Sequence, residues 1–278
     1  MTPIVVTGSA GQLGTAFRKR LGTDGSYLDR SQLDLGDTDE IAYVLIALRP
    51  HTVINCAAYT AVDAAESDPE TAQAINAVAV GRLAEVCADI GARFVTYSTD
   101  YVFDGTKATP YLESDAPDPI NMYGRSKREG EIAAVGALES SLIIRTSWVM
   151  SATHRSFASV ILGHMRRGVV KVVDDQIGHP TFVDDLVTGT LDALDAEAEG
   201  ILHLANDGVA SWYDVAVAIA DQVSIDPRTV HPCSTAEYPT PARRPANSVL
   251  DSERIQELGL SPMRDYRVAL AEVVEHLP

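Results

Sequence analysis

Tyr123 and Lys127 stand four residues apart in NMYGRSKREGE, residues 121–131. On a helix that spacing puts both side chains on one face, one turn apart. Such a pair can move a proton. A phenol has an ordinary pKa of about 10, and a neighbouring ammonium lowers it toward neutral pH. A hydride passed from a dihydronicotinamide to a ketone makes an alkoxide, and that alkoxide needs a proton. Lys127 can supply the charge and also bond a cofactor ribose. Thr99, in STDYVFDG (98–105), can donate to the same carbonyl oxygen, with Ser98 and Asp100 beside it. Tyrosine and lysine are common on helix surfaces, so the pair takes its meaning from the elements that hold it.

Those elements alternate. PIVVT (3–7) reads as a strand, 12–21 as a helix, SYLD (26–29) as a strand and 38–49 as a helix ending before Pro50. TVINCAA (52–58) is a strand, and Pro69 opens a long Ala-rich helix to Asp89. RFVTYST (93–99) is a strand, 121–135 a helix and SLIIRTSWV (141–149) a strand. Near-continuous apolar strands separated by helices are what a parallel sheet covered on both faces requires. The reading is α/β: a Rossmann-like doubly wound parallel sheet with a smaller C-terminal α/β substrate domain. Residues 1–149, with about 178–203, form the dinucleotide-binding domain; 150–278 are mostly substrate domain, interleaved with the first. Later helices are expected near 156–167, 184–196, 212–223, 252–258 and 265–276, with strands at 171–173 and 201–205. YPTPARRPANS (238–248) has too many prolines for an element interior and reads as a loop.

TGSAGQLG (7–14) spaces Gly8, Gly11 and Gly14 between a strand and a helix. There Gly8 allows a tight turn, Gly11 a close pyrophosphate and Gly14 close packing of the helix; the phosphates sit on free amides at the helix start. A tight turn with no ligand uses the same glycines. Asp29 and Arg30 end the second strand, where the cofactor ribose is read. An Asp there favours the 2′-hydroxyl of NAD and an Arg the 2′-phosphate of NADP, so the choice stays open. Asp34 and Leu35 fit either an adenine pocket or a buried turn. Small side chains at Ala57 and Ala58 admit a nicotinamide ribose close to the backbone.

The formal net charge of −17 over 278 residues disfavours nucleic acid and anionic membrane as partners. No apolar run approaches the roughly 18–20 residues of a membrane helix, and the N-terminus does not read as a secretory signal. Cys56, Cys87 and Cys233 are odd in number and widely spaced, which argues against a disulfide framework or a zinc site and for the cytoplasm. The seven histidines are scattered, and no metal is expected.

TGSAGQLG, NCAAYTAVDAAE, STDYVFDG, NMYGRSKREGE and IIRTSWV together resemble the extended short-chain dehydrogenase/reductase superfamily. Within it the wording is most similar to the dTDP-4-dehydrorhamnose reductases, and the likeness continues through DDQIGHPTFVDDL and YPTPARRPANSVLD. The resemblance implies hydride transfer from NADPH, with NADH an alternative, to C4 of dTDP-4-dehydro-L-rhamnose. It implies Thr99, Tyr123 and Lys127 as catalytic residues. Gly8, Gly11, Gln12, Leu13 and Gly14 match the cofactor loop, with Ala57, Ala58, Tyr59 and Ser98 on the nicotinamide side. Asp100, Tyr101, Phe103 and Trp148 match residues around the sugar, and Arg244 one near the diphosphate. Some members of that family bind magnesium at a dimer interface through an acidic residue two positions beyond the last loop glycine. Here Ala16 stands there, so no structural magnesium is expected, and monomer and homodimer both stay open. The same scaffold also serves epimerases, dehydratases and a non-catalytic regulatory subunit. An Asp-Tyr pair at 100–101, where dehydratases carry Asp-Glu, disfavours elimination.

Overall fold

The computed structural model describes residues 4–277. Pro3, the first residue of the expected 3–7 strand, lies outside the described residues. Five strands are built from the N-terminal half: β1 (Ile4–Thr7), β2 (Gly25–Leu28), β3 (Thr52–Asn55), β4 (Arg93–Thr99) and β5 (Leu142–Thr146). A sixth, Gly200–His203, returns from the second half and pairs parallel with β5. The order across the sheet is Gly200–His203, β5, β4, β3, β1, β2, parallel throughout. Every residue of β3 and β5 is buried, as a sheet covered on both faces demands. The chain runs outward from β1 to β2 and then crosses back to β3. That reversal opens a crevice at the carboxyl ends of β1 and β3, where ligands of open α/β sheets sit.

Helices cover both faces. Phe17 on α1 (Gln12–Leu21) packs with Val6, Ile54 and Leu186 on one side. Ile41 and Leu45 on α2 (Thr38–Leu48) pack with Val53 and Leu83 on the other. Asp37 starts α2 by accepting the amides of Asp39 and Glu40, both at 3.0 Å. A separate core in the second half gathers Ile161, Leu162, Phe182, Ile219 and Leu270. It is built by helices Phe157–Met165, Trp212–Gln222 and Tyr266–Val274 around the paired strands Val170–Val173 and Val230–Cys233. Among the described residues no helix is long and apolar enough to cross a membrane.

The main departure from the expected elements is the helix from Pro69 to Asp89. It is three pieces: α3 (Val62–Ala65) precedes it, α4 (Pro69–Gln73) starts it, a π turn spans Ala74–Val78, and α5 (Ala79–Ile90) completes it. The wide turn carries Asn76, whose side chain bonds two other segments described below. The strand expected over 52–58 stops at Asn55, because the backbone beyond it turns toward the glycine loop. The 141–149 strand ends at Thr146, and Val149–Met150 pairs instead with Thr181–Phe182.

Candidate active site

The loop after β1 enters α1 through Gly8 to Gly11. Gly8 has φ +61°, and a Cβ there would stand 2.6 Å from the Ala57 nitrogen. Glycine alone meets both demands. A Cβ on Gly14 would stand 2.4 Å from the Gly8 carbonyl oxygen, so the helix start presses on the loop. Gly11 is the N-cap and has no side chain to claim the first amides; the helical ladder begins only with Thr15 N to Gly11 O at 2.9 Å. Free amides at a helix start favour an anion. Gln12 Oε1 is buried there without a hydrogen-bond partner among the described residues. The cradle fits a dinucleotide pyrophosphate.

Its far wall is fixed by buried polar bonds. Thr7 Oγ1 donates to Asn55 Oδ1 at 2.7 Å, and Asn55 Nδ2 donates to Thr96 Oγ1 at 3.1 Å. Asn55 Oδ1 also accepts the Ala57 amide at 3.2 Å, which sets Ala57 and Ala58 beside Gly8. Asn76 then clamps Tyr59, accepting its amide at 2.9 Å and donating to its carbonyl at 3.0 Å. At the adenosine end Asp29 accepts the Ser31 hydroxyl at 2.6 Å and amide at 2.9 Å, which hold its carboxyl below the usual range. Arg30 is exposed and pairs with Asp34 at 3.2 Å. Leu35 is buried in the core with Ile41, so the buried-turn alternative describes it.

The opposite wall is α6 (Met122–Ala137). Asn121 caps it, accepting the Gly124 amide at 2.7 Å while donating to the Arg243 carbonyl at 2.8 Å. A Cβ on Gly124 would stand 2.1 Å from the Tyr101 carbonyl oxygen. That close approach brings Tyr123 onto the end of β4. Its ring meets Tyr101 edge-on at 5.9 Å, and its hydroxyl faces Thr99. Asn76 donates to Ser126 at 3.0 Å, so the π turn also steadies this helix beside Lys127.

Lys127 is 5% exposed and its Nζ donates to the Tyr97 carbonyl at 2.5 Å. Burial pushes it down to about 8, against the Glu131 carboxylate, which raises it. Tyr123 departs from the expectation drawn from the sequence. Its phenol is pushed up to about 12 by burial, with the Thr99 hydroxyl lowering it and Asp100 adding to the rise. Lys127, which donates to the Tyr97 carbonyl, is not among the groups that shift it; burial of the phenol dominates.

Behind Lys127 lies a buried ion pair. Glu131 accepts Arg145 Nε and Nη2, both at 2.8 Å, and Arg128 Nη1 at 2.8 Å. Burial acts to raise the Glu131 carboxyl, yet the Arg145 guanidinium holds it below the usual range. Ser98 is buried and faces the same carboxylate.

The expected sugar side divides. Asp100 is 2% exposed and Tyr101 is buried, both next to Tyr123. Phe103 is a core residue instead: fully buried, stacked on Tyr111 at 4.2 Å, with Arg145 over its ring. Its side of the short turn faces the sheet, which the STDYVFDG wording does not reveal. Trp148 adopts φ +48° and stacks on Trp212 at 3.6 Å. Trp212 and Phe157 line a cavity of about 630 Å³ together with Gln176, Tyr238, Asp63 and Arg244. Arg244 crosses from its loop to Asp63 on α3, with bonds of 3.0 and 2.9 Å. Tyr101 joins cavity to pair, since its hydroxyl faces Arg244. Asp63 and Glu131 sit inside motifs already quoted, at NCAAYTAVDAAE and four residues after Lys127. Asn76, Phe157 and Trp212 carried no signal. Among the described residues no three His, Cys, Asp or Glu side chains are grouped to hold a metal ion.

The family model described as the RmlD substrate binding domain matches residues 1–278. A protein of Mycolicibacterium smegmatis named dTDP-4-dehydrorhamnose reductase is 42% identical over 98% of this chain and 84% of its own length. A Streptomyces antibioticus protein named a probable dTDP-4,6-dihydroxy-2-methyloxan-3-one 4-ketoreductase is 40% identical over 96% of this chain and 93% of its own. The crystal structure of dTDP-4-dehydrorhamnose reductase from Bacillus anthracis in complex with NADP superposes with a TM-score of 0.94, at 32% identity, over 98% of both chains.

Proposed function

We propose a reaction from one premise: the chain belongs to the RmlD substrate binding domain family. It is an NADPH-dependent oxidoreductase that reduces the C4 ketone of dTDP-4-dehydro-L-rhamnose to give dTDP-L-rhamnose, the last step in making that nucleotide sugar. The observation that supports this reading best is Tyr123 facing Thr99 at the end of β4, with Lys127 buried one turn on and Tyr101 linking Tyr123 to the Arg244 side of the cavity.

Bound NADPH supplies the hydride. Gly8, Gly11, Gln12, Leu13 and Gly14 hold its pyrophosphate on backbone amides. Asp29, Arg30 and Asp34 line the adenosine end, and Ala57, Ala58, Tyr59 and Ser98 the nicotinamide end. Tyr123 gives its proton to the oxygen left on C4. Its phenol is a weak acid in the resting site, which suits a donor that must stay protonated until negative charge develops beside it. Lys127 steadies the phenolate that remains and bonds the cofactor ribose. Thr99 donates to the ketone oxygen. Asp100, Tyr101 and Trp148 position the sugar, and Arg244 takes the diphosphate. The cavity volume of about 630 Å³ lies in the range of small-molecule sites, roughly 300–1,000 Å³, and its Trp212–Phe157 face suits a base.

Residues 1–149 with about 178–203 form the cofactor domain on this reading, supported by the Gly200–His203 strand in the main sheet. The rest of 150–278 forms the substrate domain. The protein works in the cytoplasm as a monomer or homodimer, and the net charge of −17 argues against nucleic acid as a partner. The relative from Streptomyces antibioticus gives the second reading, a different dTDP-4-ketosugar reduced by the same residues. The test mixes protein, NADPH and dTDP-4-dehydro-L-rhamnose, follows loss of reduced-nicotinamide absorbance and identifies the sugar. Tyr123→Phe should lose turnover and keep NADPH binding. Turnover close to wild type in that variant refutes the assignment.

A further inference from the structure

Thr99 has one hydroxyl proton and, on the reading above, one use for it: a hydrogen bond to the ketone oxygen. The structure offers that proton another destination. Thr99 Oγ1 stands 3.0 Å from Asp100 Oδ1, and it already accepts the Tyr101 amide at 3.2 Å. A hydroxyl donates once and accepts twice. An ionised Asp100 only accepts, so it draws the Thr99 proton to itself. A neutral Asp100 reverses the bond. Its own O–H then donates to Thr99, the amide and the carboxyl fill both lone pairs, and the Thr99 proton is free to point to the side where Tyr123 stands.

The surroundings favour the neutral form. Asp100 is 2% exposed, and its Oδ2 has no hydrogen-bond partner among the described residues. No lysine, arginine or histidine among them pairs with it. The groups that face it are neutral: the hydroxyls of Thr99 on its own strand end and Ser248 from the 238–248 loop, the backbone amides of Asp100 and Tyr101, and the phenols of Tyr101 in the same turn and Tyr123 from α6. Arg244 and Asp63 reach Tyr101 but pair with each other at 2.9 Å. A buried carboxylate without a cation is disfavoured against its acid. Burial accordingly pushes Asp100 up to about 7, the other contacts only partly opposing it.

We propose that Asp100 is a positioning residue for the reduction: as a neutral acid it turns the Thr99 hydroxyl toward the ketone, and as a carboxylate it turns the hydroxyl away. No proton leaves Asp100 during turnover, and the hydride and the Tyr123 proton still balance the reaction. This goes beyond sugar contact as a role for Asp100, and it rests on the reductase reading.

Two measurements test it. The first follows aspartate side-chain carboxyl 13C shifts in the free protein from pH 5 to pH 9, with Asp100→Asn assigning the signal. One carboxyl should titrate near pH 7 and be missing in D100N. An Asp100 signal that titrates in the ordinary carboxylate range overturns the proposal whatever the activity. The second measures kcat against pH at saturating NADPH and sugar. Wild-type kcat should fall on the order of tenfold as pH rises through about 7, the size of one neutral hydrogen bond. D100N carries a permanent amide donor to Thr99, so its kcat profile, whatever its absolute rate, should lose the fall near pH 7. Thr99→Ala should run at the lower rate with no fall near pH 7. A fall centred near pH 7 that persists unchanged in D100N or in T99A overturns the proposal, while a limb near pH 8 belongs to Lys127. If D100N does not fold, T99A and the wild-type carboxyl titration still decide it. A carboxyl that titrates near 7 in a chain that reduces no ketone refutes the reductase reading and leaves the carboxyl–hydroxyl switch standing.

Discussion

Replacing Lys127 by methionine should make the protein more stable and inactive at once. Lys127 is buried in α6, and burial lowers it from the ordinary 10.5 to about 8. At about 1.4 kcal/mol per tenfold change in protonation, that difference corresponds to roughly 3 kcal/mol of stability withheld at pH 7, where the ammonium is charged in both folded and unfolded chains. Methionine fills a similar volume without charge. It also leaves the Tyr97 carbonyl without its 2.5 Å donor, a loss of about 1 kcal/mol. The expected net gain is about 2 kcal/mol at pH 7. The sign reverses its trend with pH. Between about 8 and 10.5 the unfolded chain binds more protons than the folded one, so wild-type stability rises across that window. By pH 10 the gain of Lys127→Met should have vanished. Urea unfolding of both proteins at pH 7 and pH 10, beside an NADPH oxidation assay, reads all three quantities. A stability difference equal at the two pH values would sink the reasoning, because it would show that the ammonium is not held against its preference. A variant less stable at pH 7 would do the same.

Two further variants probe the supports of the site. Glu131→Gln leaves Arg145, fully buried, without its counter-charge, at a cost of about 3–5 kcal/mol and, at roughly 2 °C per kcal/mol, a fall of about 6–10 °C in Tm by calorimetry. The same change removes the carboxylate that raises Lys127, so any alkaline limb of activity due to Lys127 should move to lower pH; a melting temperature within about 2 °C of wild type contradicts the buried pair. Gly8→Ala forces a Cβ to 2.6 Å from the Ala57 nitrogen at φ +61°, with strain of about 1–3 kcal/mol, and should weaken NADPH binding tenfold or more in a fluorescence titration, while unchanged affinity would show that the cradle does not hold the cofactor.

The sheet was legible because its strands are short apolar runs that cannot be exposed, and the glycine loop because Gly8 and Gly14 meet backbone where no side chain fits. The Tyr123–Lys127 face was legible from helical spacing alone. What escaped are properties of packing. The π turn at Ala74–Val78 lies inside an Ala-rich helical stretch, and the bonds of Asn76 to Tyr59 and Ser126 are made from that wider turn. Phe103 and Trp148 are both aromatics near strand ends, yet one is sealed beneath Arg145 and the other stacks on Trp212 beside the cavity. Spacing does not distinguish them, because the deciding contacts come from residues tens of positions away. The direction of the Tyr123 shift failed for a related reason. Helical spacing does not show how deeply the phenol is buried, and burial is what raises it.

The three ionisable side chains nearest the expected chemistry are held away from their ordinary proton affinities by the same cause. Tyr123 is pushed up, Asp100 is pushed up and Lys127 is pushed down, and burial is the largest influence on each. The Glu131 carboxylate raises Lys127 in part, but its hydrogen bonds go to Arg145 and Arg128. Such an arrangement is unfavourable for folding alone, and it persists because the sheet, the Gly124 contact and the Asn76 clamp over-determine it. It also means that the resting site is set against ionisation. Tyr123 stays neutral until charge appears on the substrate oxygen, and Asp100 keeps its proton below about pH 7 throughout. A site made this way answers to whatever excludes water from it, so substitutions that open the Tyr101–Arg244 side should shift all three groups together.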